Sequence, residues 1–254
     1  MRLATFNLLH GRSLTDGRVV GERLADAARA LDADVVGLQE VDRGQSRSHG
    51  ADQTAQVARA LGAEHWRFVP AIVGTPGLSW RAATDEEDEA LPAYGVGLVS
   101  RWPVQAWQVV RLPAARVRAP VLLPGTRQVV WLQDEPRVGV VAQLATPLGP
   151  VTVGTTHLSF VPGRNGAQLR TLTAAMAQLP GPRVLLGDFN LPGALPRLLT
   201  RWRALARTAT YPAPEPRVQL DHVLASGDLP PVDAVETPAL AVSDHRALVV
   251  SLRG

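Results

Sequence analysis

Residues 183–190 read Arg183-Val184-Leu185-Leu186-Gly187-Asp188-Phe189-Asn190, an apolar run that ends abruptly in polar side chains. A short run of this kind is typical of a buried β-strand. Gly187 allows another backbone to approach closely just before the carboxylate of Asp188. Taken alone, Asp188 and Asn190 could form an ordinary Asx turn. Whether they do more depends on whether the same pattern recurs elsewhere in the chain.

Apolar runs that end in Asn, Glu, Asp or His recur along the whole chain. The instances are Thr5-Phe6-Asn7, Gly37-Leu38-Gln39-Glu40, Thr155-Thr156-His157, Leu186-Gly187-Asp188-Phe189-Asn190, Gln219-Leu220-Asp221-His222 and Ser243-Asp244-His245. Strand ends are where a rigid scaffold presents side chains to a cleft. Carboxylates and amides are hard oxygen ligands for a cation such as Mg²⁺, and imidazoles suit a phosphate. The recurrence therefore predicts one shared site that hydrolyses a phosphate ester with a divalent cation.

The periodicity predicts strands and helices that alternate in each half of the chain around a strand-only centre. Strands are expected at residues 2–7, 34–40, 66–73, 94–100, 104–110, 128–132, 138–144, 151–157, 183–188, 218–224 and 247–252, and helices at 20–31, 51–61, 169–179 and 195–202. This order favours two mixed sheets packed face to face with helices outside, an α+β four-layer α/β/β/α sandwich. No linker divides the chain, so a single domain over residues 1–254 is expected.

Composition limits the chemistry and the compartment. The chain has no cysteine, so a disulfide or a thiolate metal site is excluded. The isoelectric point near 10.4 arises because every basic side chain is Arg, and the net charge is only +3. No stretch approaches the about 20 apolar residues of a membrane span, and no signal peptide precedes the first strand. We expect a cytoplasmic monomer.

The ordered set of polar strand ends resembles the endonuclease/exonuclease/phosphatase superfamily. This superfamily includes deoxyribonuclease I, exonuclease III-like abasic endonucleases, inositol polyphosphate 5-phosphatases and neutral sphingomyelinases. The resemblance extends from Asn7 to His245. The segment Tyr94-Gly95-Val96-Gly97-Leu98-Val99-Ser100-Arg101 is similar to the central strand of the family, which often carries Asn where this chain has Val96. The resemblance implies the deoxyribonuclease I-like form of the sandwich.

The resemblance also implies a role for each residue of the set. Glu40 would be the principal ligand of Mg²⁺, for which Mn²⁺ could substitute, and Asn7 would bind the metal directly or through water. Asp188 would orient or deprotonate the attacking water, and Asn190 would contact a phosphate oxygen or fix Asp188. His157 and His245 would stabilise the transition state, with the role of general acid open as an alternative for His245, and Asp221 would orient His245. Asp244 would be a second metal ligand or a group that supports the metal ligands, and Tyr94 could contact the substrate. Arg12, which comes shortly after Asn7 in the sequence, could also contact the substrate.

The substrate remains open at this stage. A nuclease-like enzyme that cuts a phosphodiester is expected first, with a phosphomonoesterase or a phospholipase-C-like enzyme on an inositol phosphate or lipid headgroup as the alternative. A nuclease favours a basic face, which Arg111, Arg116, Arg118 and Arg127 could supply. The acidic run at residues 85–89, expected to be a solvated loop, would oppose a nucleic-acid backbone if it borders the cleft. A non-catalytic binding module of the same fold is less favoured, because Glu40, Asp188 and His245 are all present.

Overall fold

The computed structural model of the chain describes residues 1–115, 118–122 and 129–253. Of the arginines expected to form a basic face, Arg116 and Arg127 lie outside these residues. In chain order the strands are β1 (Arg2–Asn7), β2 (Val35–Arg43), β3 (His65–Gly74), β4 (Trp80–Ala82), β5 (Ala93–Ser100), β6 (Val104–Leu112), β7 (Arg118–Leu122), β8 (Val129–Gln133), β9 (Arg137–Thr146), β10 (Gly149–His157), β11 (Arg183–Asp188), β12 (Arg203–Ala204), β13 (Asp221–Ser226), β14 (Val232–Glu236) and β15 (Leu248–Leu252). The helices are α1 (Gly21–Leu31), α2 (Gln53–Leu61), α3 (Arg164–Ala177) and α4 (Leu195–Thr200).

The strands form two large sheets. The first has the order β14-β15-β1-β2-β5-β3-β4, and the second has the order β12-β13-β11-β10-β9-β6. Strands β7 and β8 pair only with each other among the described strands. Both large sheets are mixed. In the first sheet β1 runs parallel to β2, and β2 runs antiparallel to β5. In the second sheet β10 runs parallel to β11, and β11 runs antiparallel to β13. The predicted pair of mixed sheets is therefore confirmed.

Three apolar clusters show how the layers pack. One cluster lies between the sheets and joins Leu3 of the first sheet to Val153 of the second. A second joins Leu24 of α1 to strands β1 and β2, and a third joins Leu172 of α3 to β11. Each buried leucine of this kind contributes about 1.5–3 kcal/mol through loss of water contact. The helices therefore cover the two outer sheet faces, which confirms the predicted α/β/β/α layering.

A buried polar bridge joins the sheets near the ends of their central strands. Gln39 accepts a hydrogen bond from Thr5 Oγ1 at 3.2 Å and donates one to Thr155 Oγ1 at 2.9 Å. The sheets come close here because Gly37 has no side chain: a Cβ at Gly37 would lie 2.0 Å from Leu186 Cδ1. The bridge and the small residue fix the lateral position of the two sheets next to the polar strand ends.

The register brings the polar strand ends to one edge of the sandwich. In the first sheet Asn7 is level with Gln39, next to Glu40. In the second sheet Asp188 is level with His157 on one side and Asp221 on the other. β10 and β11 are parallel, so their last side chains, His157 and Asp188, lie together. In the first sheet the predicted strand end at Glu40 is wrong: β2 continues to Arg43, and Asn7 at the end of β1 lies beside the interior of β2, next to Glu40. The topology thus accounts for the recurrence seen in the sequence.

Some elements differ from the sequence prediction. The short strands β4, β7, β12 and β14 were not predicted, because two to five residues carry too little periodicity. The acidic run at residues 85–89 is an exposed loop, as predicted, apart from the Glu87 side chain, which forms two hydrogen bonds with Arg81 at 2.7 and 2.6 Å. Asp85 in the same loop is exposed and pairs with Arg111 at 3.1 Å. Among the described helices, none is long and apolar enough to cross a membrane.

Candidate active site

Glu40 reaches the site from a β-bulge. The register between β2 and β5 shifts between Leu38 and Val41, and Glu40 within this shift has a φ of 54°. A bulge turns a side chain away from the regular alternation of a strand. A positive φ costs about 1–3 kcal/mol for a residue other than glycine, and such strain is concentrated at functional sites. The Glu40 carboxylate accepts a hydrogen bond from Asn7 Nδ2 at 3.0 Å.

Asp188 lies at the centre of the group. Its Oδ2 accepts a hydrogen bond from Asn7 Nδ2 at 3.0 Å, and its Oδ1 accepts one from the backbone N–H of Asn190 at 3.0 Å. Two imidazoles face the same Oδ2, with His157 Nε2 at 3.5 Å and His245 Nε2 at 3.8 Å. Asp188 is 2% exposed. One carboxylate oxygen therefore links both sheets and both histidines.

Asn190 positions His157 and Asp188 together. Its side-chain Nδ2 lies 3.2 Å from His157 Nε2 and donates to the carbonyl of Leu158 at 3.0 Å. Asn165 at the start of α3 holds the backbone by donating to the Asn190 carbonyl at 2.8 Å. One amide proton of Asn190 is thus held by the Leu158 carbonyl, and the direction of the contact with His157 Nε2 depends on the tautomer of the imidazole. Of the two roles that the sequence left open for Asn190, fixing Asp188 agrees with its backbone N–H, which donates to Asp188 Oδ1, while its side chain contacts His157.

His245 and Asp221 form a buried hydrogen-bonded pair. His245 Nδ1 lies 2.8 Å from Asp221 Oδ2, and Thr210 Oγ1 donates to the same oxygen at 2.6 Å. The backbone N–H of His245 donates to Ser243 Oγ at 3.0 Å, and the Tyr211 ring packs on the imidazole at a centroid distance of 4.8 Å. The imidazole is therefore fixed with its Nε2 directed towards Asp188. This is the geometry that the sequence assigned to Asp221.

The two histidines have opposite electrostatic environments. Burial lowers the pKa of His157 well below its usual range, and the charges of Arg137 and His245 lower it further. For His245, burial opposes protonation, but the carboxylates of Asp221 and Asp188 outweigh it and raise the pKa. Burial also raises the pKa of Asp188, against the opposing effect of His245. These pKa shifts favour a neutral imidazole at His157 and a protonated imidazole at His245, on either side of Asp188.

Glu40 and Asp244 offer a place for a cation. Burial raises the pKa of Glu40, the hydrogen bond from Asn7 lowers it, and the nearby Asp244 raises it again. Glu40 forms no ion pair within the described residues, and only the charges of His245 and Arg137 lower its pKa against burial and Asp244 beyond the hydrogen bond from Asn7. A divalent cation with oxygen ligands fits this donor set. The Asn7 Oδ1 accepts from the Leu9 N–H at 3.0 Å, so Asn7 suits contact through water better than direct coordination.

A second potential ligand cluster lies beside the first. One ligand atom from each of Asp188, Asp221 and His245 falls within 4.8 Å of the others. However, Asp221 Oδ2 and His245 Nδ1 already bond to each other, and a cation there would have to break that bond. The pair of Glu40 and Asp244 is the better candidate.

The two predicted substrate contacts lie in different places. Tyr94 is buried on β5, where burial and then the charge of Glu40 raise its pKa well above the usual value. The Arg47 guanidinium lies 5.5 Å from the centre of its ring. Arg12 is exposed and outside the central group, although its carbonyl accepts from the Ser243 N–H at 2.8 Å. Its side chain lines a neighbouring cavity.

Arg137, which the sequence analysis did not single out, belongs to the site. It is 7% exposed on β9, and its buried Nε has no hydrogen-bond partner. It forms no ion pair in the part of the chain that the structure describes, yet its charge lowers the pKa of Glu40 and of His157. An almost fully buried guanidinium without a carboxylate partner is costly. Its position makes it available to an anion in the site.

A large cavity lies apart from this group. It has a volume of about 990 Å³, lies between β3 of the first sheet and β6 of the second, and is lined by none of the predicted site residues. Arg111 in its wall donates to the carbonyls of Pro70 and Thr84 and pairs with Asp85. Arg111 is therefore occupied by the chain itself, and this weakens the expectation of a basic face that includes it.

Solved structures of similar shape have this architecture. An endonuclease/exonuclease/phosphatase from Beutenbergia cavernae DSM 12333 is 25% identical, with a TM-score of 0.71 over 100% of this chain and 71% of that one. A mannosyl-6-phosphatase from Bacteroides thetaiotaomicron VPI-5482 is 16% identical, with a TM-score of 0.65 over 100% of both chains. A sphingomyelinase C from Streptomyces griseocarneus is 15% identical, with a TM-score of 0.60 over 100% of this chain and 99% of that one. At this level of identity, the likeness to the last two proteins shows a shared fold and carries no statement about the substrate of this chain.

The family assignment follows from the chain as a whole. No curated protein matches its sequence. The profile described as the Endonuclease/Exonuclease/phosphatase family matches residues 4–245, a span that includes every residue of the central group. The chain belongs to the endonuclease/exonuclease/phosphatase family, whose members are hydrolases that act on phosphoesters.

Proposed function

We propose that the chain is a Mg²⁺-dependent phosphoesterase that hydrolyses a phosphodiester by in-line attack of water. The observation that carries this proposal is the position of Asp188: its Oδ2 faces Asn7, His157 and His245 within 3.8 Å. A carboxylate held by two hydrogen bonds between imidazoles suits the orientation and deprotonation of a water molecule. No covalent intermediate is needed.

Asp188 would take the proton of the attacking water at Oδ2. Its other oxygen is held by the Asn190 N–H, and Asn7 holds Oδ2 from the opposite sheet. The carboxylate therefore keeps one orientation without rotating about its side chain. Such positioning contributes to rate because the reacting groups need no further ordering.

Three cationic or hydrogen-bonding groups would stabilise the charge that develops on the phosphate. His245 supplies an imidazolium whose tautomer and direction are set by Asp221. His157 is neutral and held by Asn190, so it can act as a hydrogen-bond donor or acceptor. Arg137 supplies a guanidinium without a carboxylate partner among the described residues. Groups fixed before the reaction stabilise a transition state more than mobile ones do.

Glu40 and Asp244 would hold the cation, with Asn7 beside them through water. When bound, Mg²⁺ supplies polarisation of a phosphoryl oxygen and charge stabilisation at the leaving group. Mn²⁺ has a similar preference for oxygen ligands and could replace it. Burial raises the pKa of Glu40, and a bound cation would favour its ionised form.

The alternative substrate is a phosphomonoester or the headgroup of a phospholipid. A mannosyl-6-phosphatase and a sphingomyelinase C have this fold, so the fold accommodates both classes. A panel of plasmid DNA, abasic duplex, RNA, inositol phosphates and sphingomyelin distinguishes them. Hydrolysis of a nucleic acid alone supports the nuclease-like form, and hydrolysis of no member with either cation supports the non-catalytic binding module.

Removal of the cation is expected to abolish hydrolysis. The purified protein should release p-nitrophenol from bis-p-nitrophenyl phosphate with Mg²⁺ or Mn²⁺, lose that activity in excess chelator, and regain it when the cation is restored. In Glu40→Gln we expect the half-saturating cation concentration to rise about tenfold or more. Glu64→Gln, at an exposed glutamate, is the matched control. Unchanged activity in chelator would show that the cation is not required.

Replacement of Arg137 by Gln is expected to lower kcat/KM for the diester about 10²-fold, because a fixed charge next to the phosphate is lost. Arg137→Lys should regain part of the rate, since it keeps the charge but not the planar fork. Arg101→Gln is the control: Arg101 follows β5 at its far end and pairs with Asp32. Equal rates for wild type and Arg137→Gln, measured by p-nitrophenol release, would contradict the role.

A further inference from the structure

A basic cavity lies beside the site. It has a volume of about 600 Å³, and its polar side chains are those of Arg12, Arg18, Arg47, His10 and His49. No acidic side chain lines it within the described residues. A concave surface with several guanidinium groups is complementary to a compact anion such as a phosphate group.

The cavity adjoins the predicted catalytic residues through Arg47. The guanidinium of Arg47 contacts the ring of Tyr94 and is near enough to Glu40 for the charge of Glu40 to raise the Arg47 pKa. Asp42 behind it forms two hydrogen bonds at 2.8 and 2.7 Å and fixes its direction. Arg12 on the other wall is joined to the loop of His245 by the hydrogen bond from Ser243 N to its carbonyl.

The remaining groups show that the cavity has a positive field. Burial and then the charge of Arg47 lower the pKa of His10 to about 4. His10 is held by Gln53, whose Nε2 donates to the His10 carbonyl at 2.7 Å. Arg12 and Arg18 line the cavity and form no ion pair in the described part of the chain, since the nearby Asp16 pairs with Arg23, so their charges are available to a ligand.

We propose that this cavity binds a second phosphate group of the substrate, next to the ester that is cleaved. The proposal rests on the proposed function, since it places the first phosphate among Asp188, His157 and His245. It narrows the substrate class to molecules with at least two neighbouring phosphates. The second phosphate is a diester in a polynucleotide and a monoester in a small bisphosphate, and both present the same anionic oxygens to the cavity.

The test compares matched substrates that differ by one phosphate. The first pair is thymidine 5′-(p-nitrophenyl phosphate) with and without a 3′-phosphate monoester. A third substrate carries a 3′-phosphodiester to a second thymidine. We expect kcat/KM about tenfold higher for a substrate with the additional phosphate. A preference for the monoester form indicates a small bisphosphate, and a preference for the diester form indicates a polynucleotide.

Variants test whether the preference for the additional phosphate depends on the arginines of the cavity. Arg12→Gln and Arg18→Gln should each reduce the ratio of kcat/KM values towards one, whereas Arg29→Gln, an equal loss of charge on the exposed side of α1, should not. Arg47 is not replaced, because the buried Asp42 would then lack its partner. A ratio near one in the wild type, or a ratio unchanged in both cavity variants, overturns the proposal.

A binding measurement separates this proposal from the proposed function. Thymidine 3′,5′-bisphosphate and thymidine 5′-phosphate are titrated calorimetrically into the wild type and Arg12→Gln in Mg²⁺. Tighter binding of the bisphosphate in the wild type alone supports the cavity even if no ester is hydrolysed. Equal affinities for the two ligands reject the cavity as a phosphate site. In that case, hydrolysis of thymidine 5′-(p-nitrophenyl phosphate) without a 3′-phosphate still supports the proposed phosphoesterase.

Discussion

Replacement of Asp188 by Asn is expected to lower kcat for phosphodiester hydrolysis about 10³-fold. The amide has nearly the same shape as the carboxylate but cannot take a proton from water. It also presents an NH₂ group either to Asn7 Nδ2 or to the Asn190 N–H, both of which donate in the wild type. The variant therefore loses both the base and one of the hydrogen bonds that position it. The rate is measured with bis-p-nitrophenyl phosphate at saturating Mg²⁺.

The fold should survive this substitution. Asp188 is fully enclosed, and burial raises its pKa, so the ionised carboxylate is the costly form there. A neutral amide removes that cost and loses about one hydrogen bond, which leaves the thermal midpoint close to the wild-type value. Asp233→Asn, at an exposed carboxylate that pairs with Arg253, is the matched control. A rate for Asp188→Asn within threefold of the wild type would remove Asp188 from the mechanism.

The fold was predictable where apolar runs end sharply. Strands β1 and β11 have the predicted bounds, because Asn7 and Asp188 interrupt runs of buried side chains. Helix α3 begins at Arg164, five positions before the predicted start at residue 169. Its first turn is buried by contacts such as that of Asn165 with the Asn190 carbonyl, and not by apolar side chains. Hydrophobic periodicity does not detect a turn of this kind.

The site was predictable as a set of residues but not as a network. The contacts of Asp188 with Asn7, His157 and His245 follow from strand register, which polar strand ends suggest but do not define. Arg137 could not be recognised, because an arginine in a chain without lysine carries no local pattern. Its importance arises only in three dimensions, where its charge acts on His157 and its Nε lacks a partner.

The backbone at Glu40 was equally hidden from the sequence. The sequence of β2 gives no sign of the register shift, and a positive φ is not expected for a glutamate. The prediction that Glu40 ends a strand was wrong, because β2 continues to Arg43, although the order of residues did single out its carboxylate. The direction of that carboxylate depends on the pairing with β5, a contact between distant parts of the chain.

Replacement of His245 by Gln is expected to lower kcat about 10²- to 10³-fold, and Asp221→Asn about 10²-fold. Asp221 touches neither substrate nor cation in the proposed site and acts through His245 Nδ1, to which its Oδ2 lies at 2.8 Å. An amide at position 221 is unfavourable in either of its two orientations towards Thr210 and His245. If its oxygen faces Thr210 and His245, its NH₂ takes the position of Oδ1, which is buried without a hydrogen-bond partner. If the amide is rotated by half a turn, its NH₂ group faces Thr210 Oγ1 and His245 Nδ1, which both donate in the wild type.

The double variant tests whether Asp221 acts only by positioning His245. When one residue acts through another, the losses are not additive, so His245→Gln with Asp221→Asn should be about as slow as His245→Gln alone. The KM for the diester should change less than kcat in each single variant, because the imidazolium acts on charge that develops in the transition state. Losses that multiply in the double variant would show that Asp221 has a separate role, such as the cation site suggested by its closeness to Asp188. The cycle therefore decides between a positioning pair and a second cation site, which share the same three side chains.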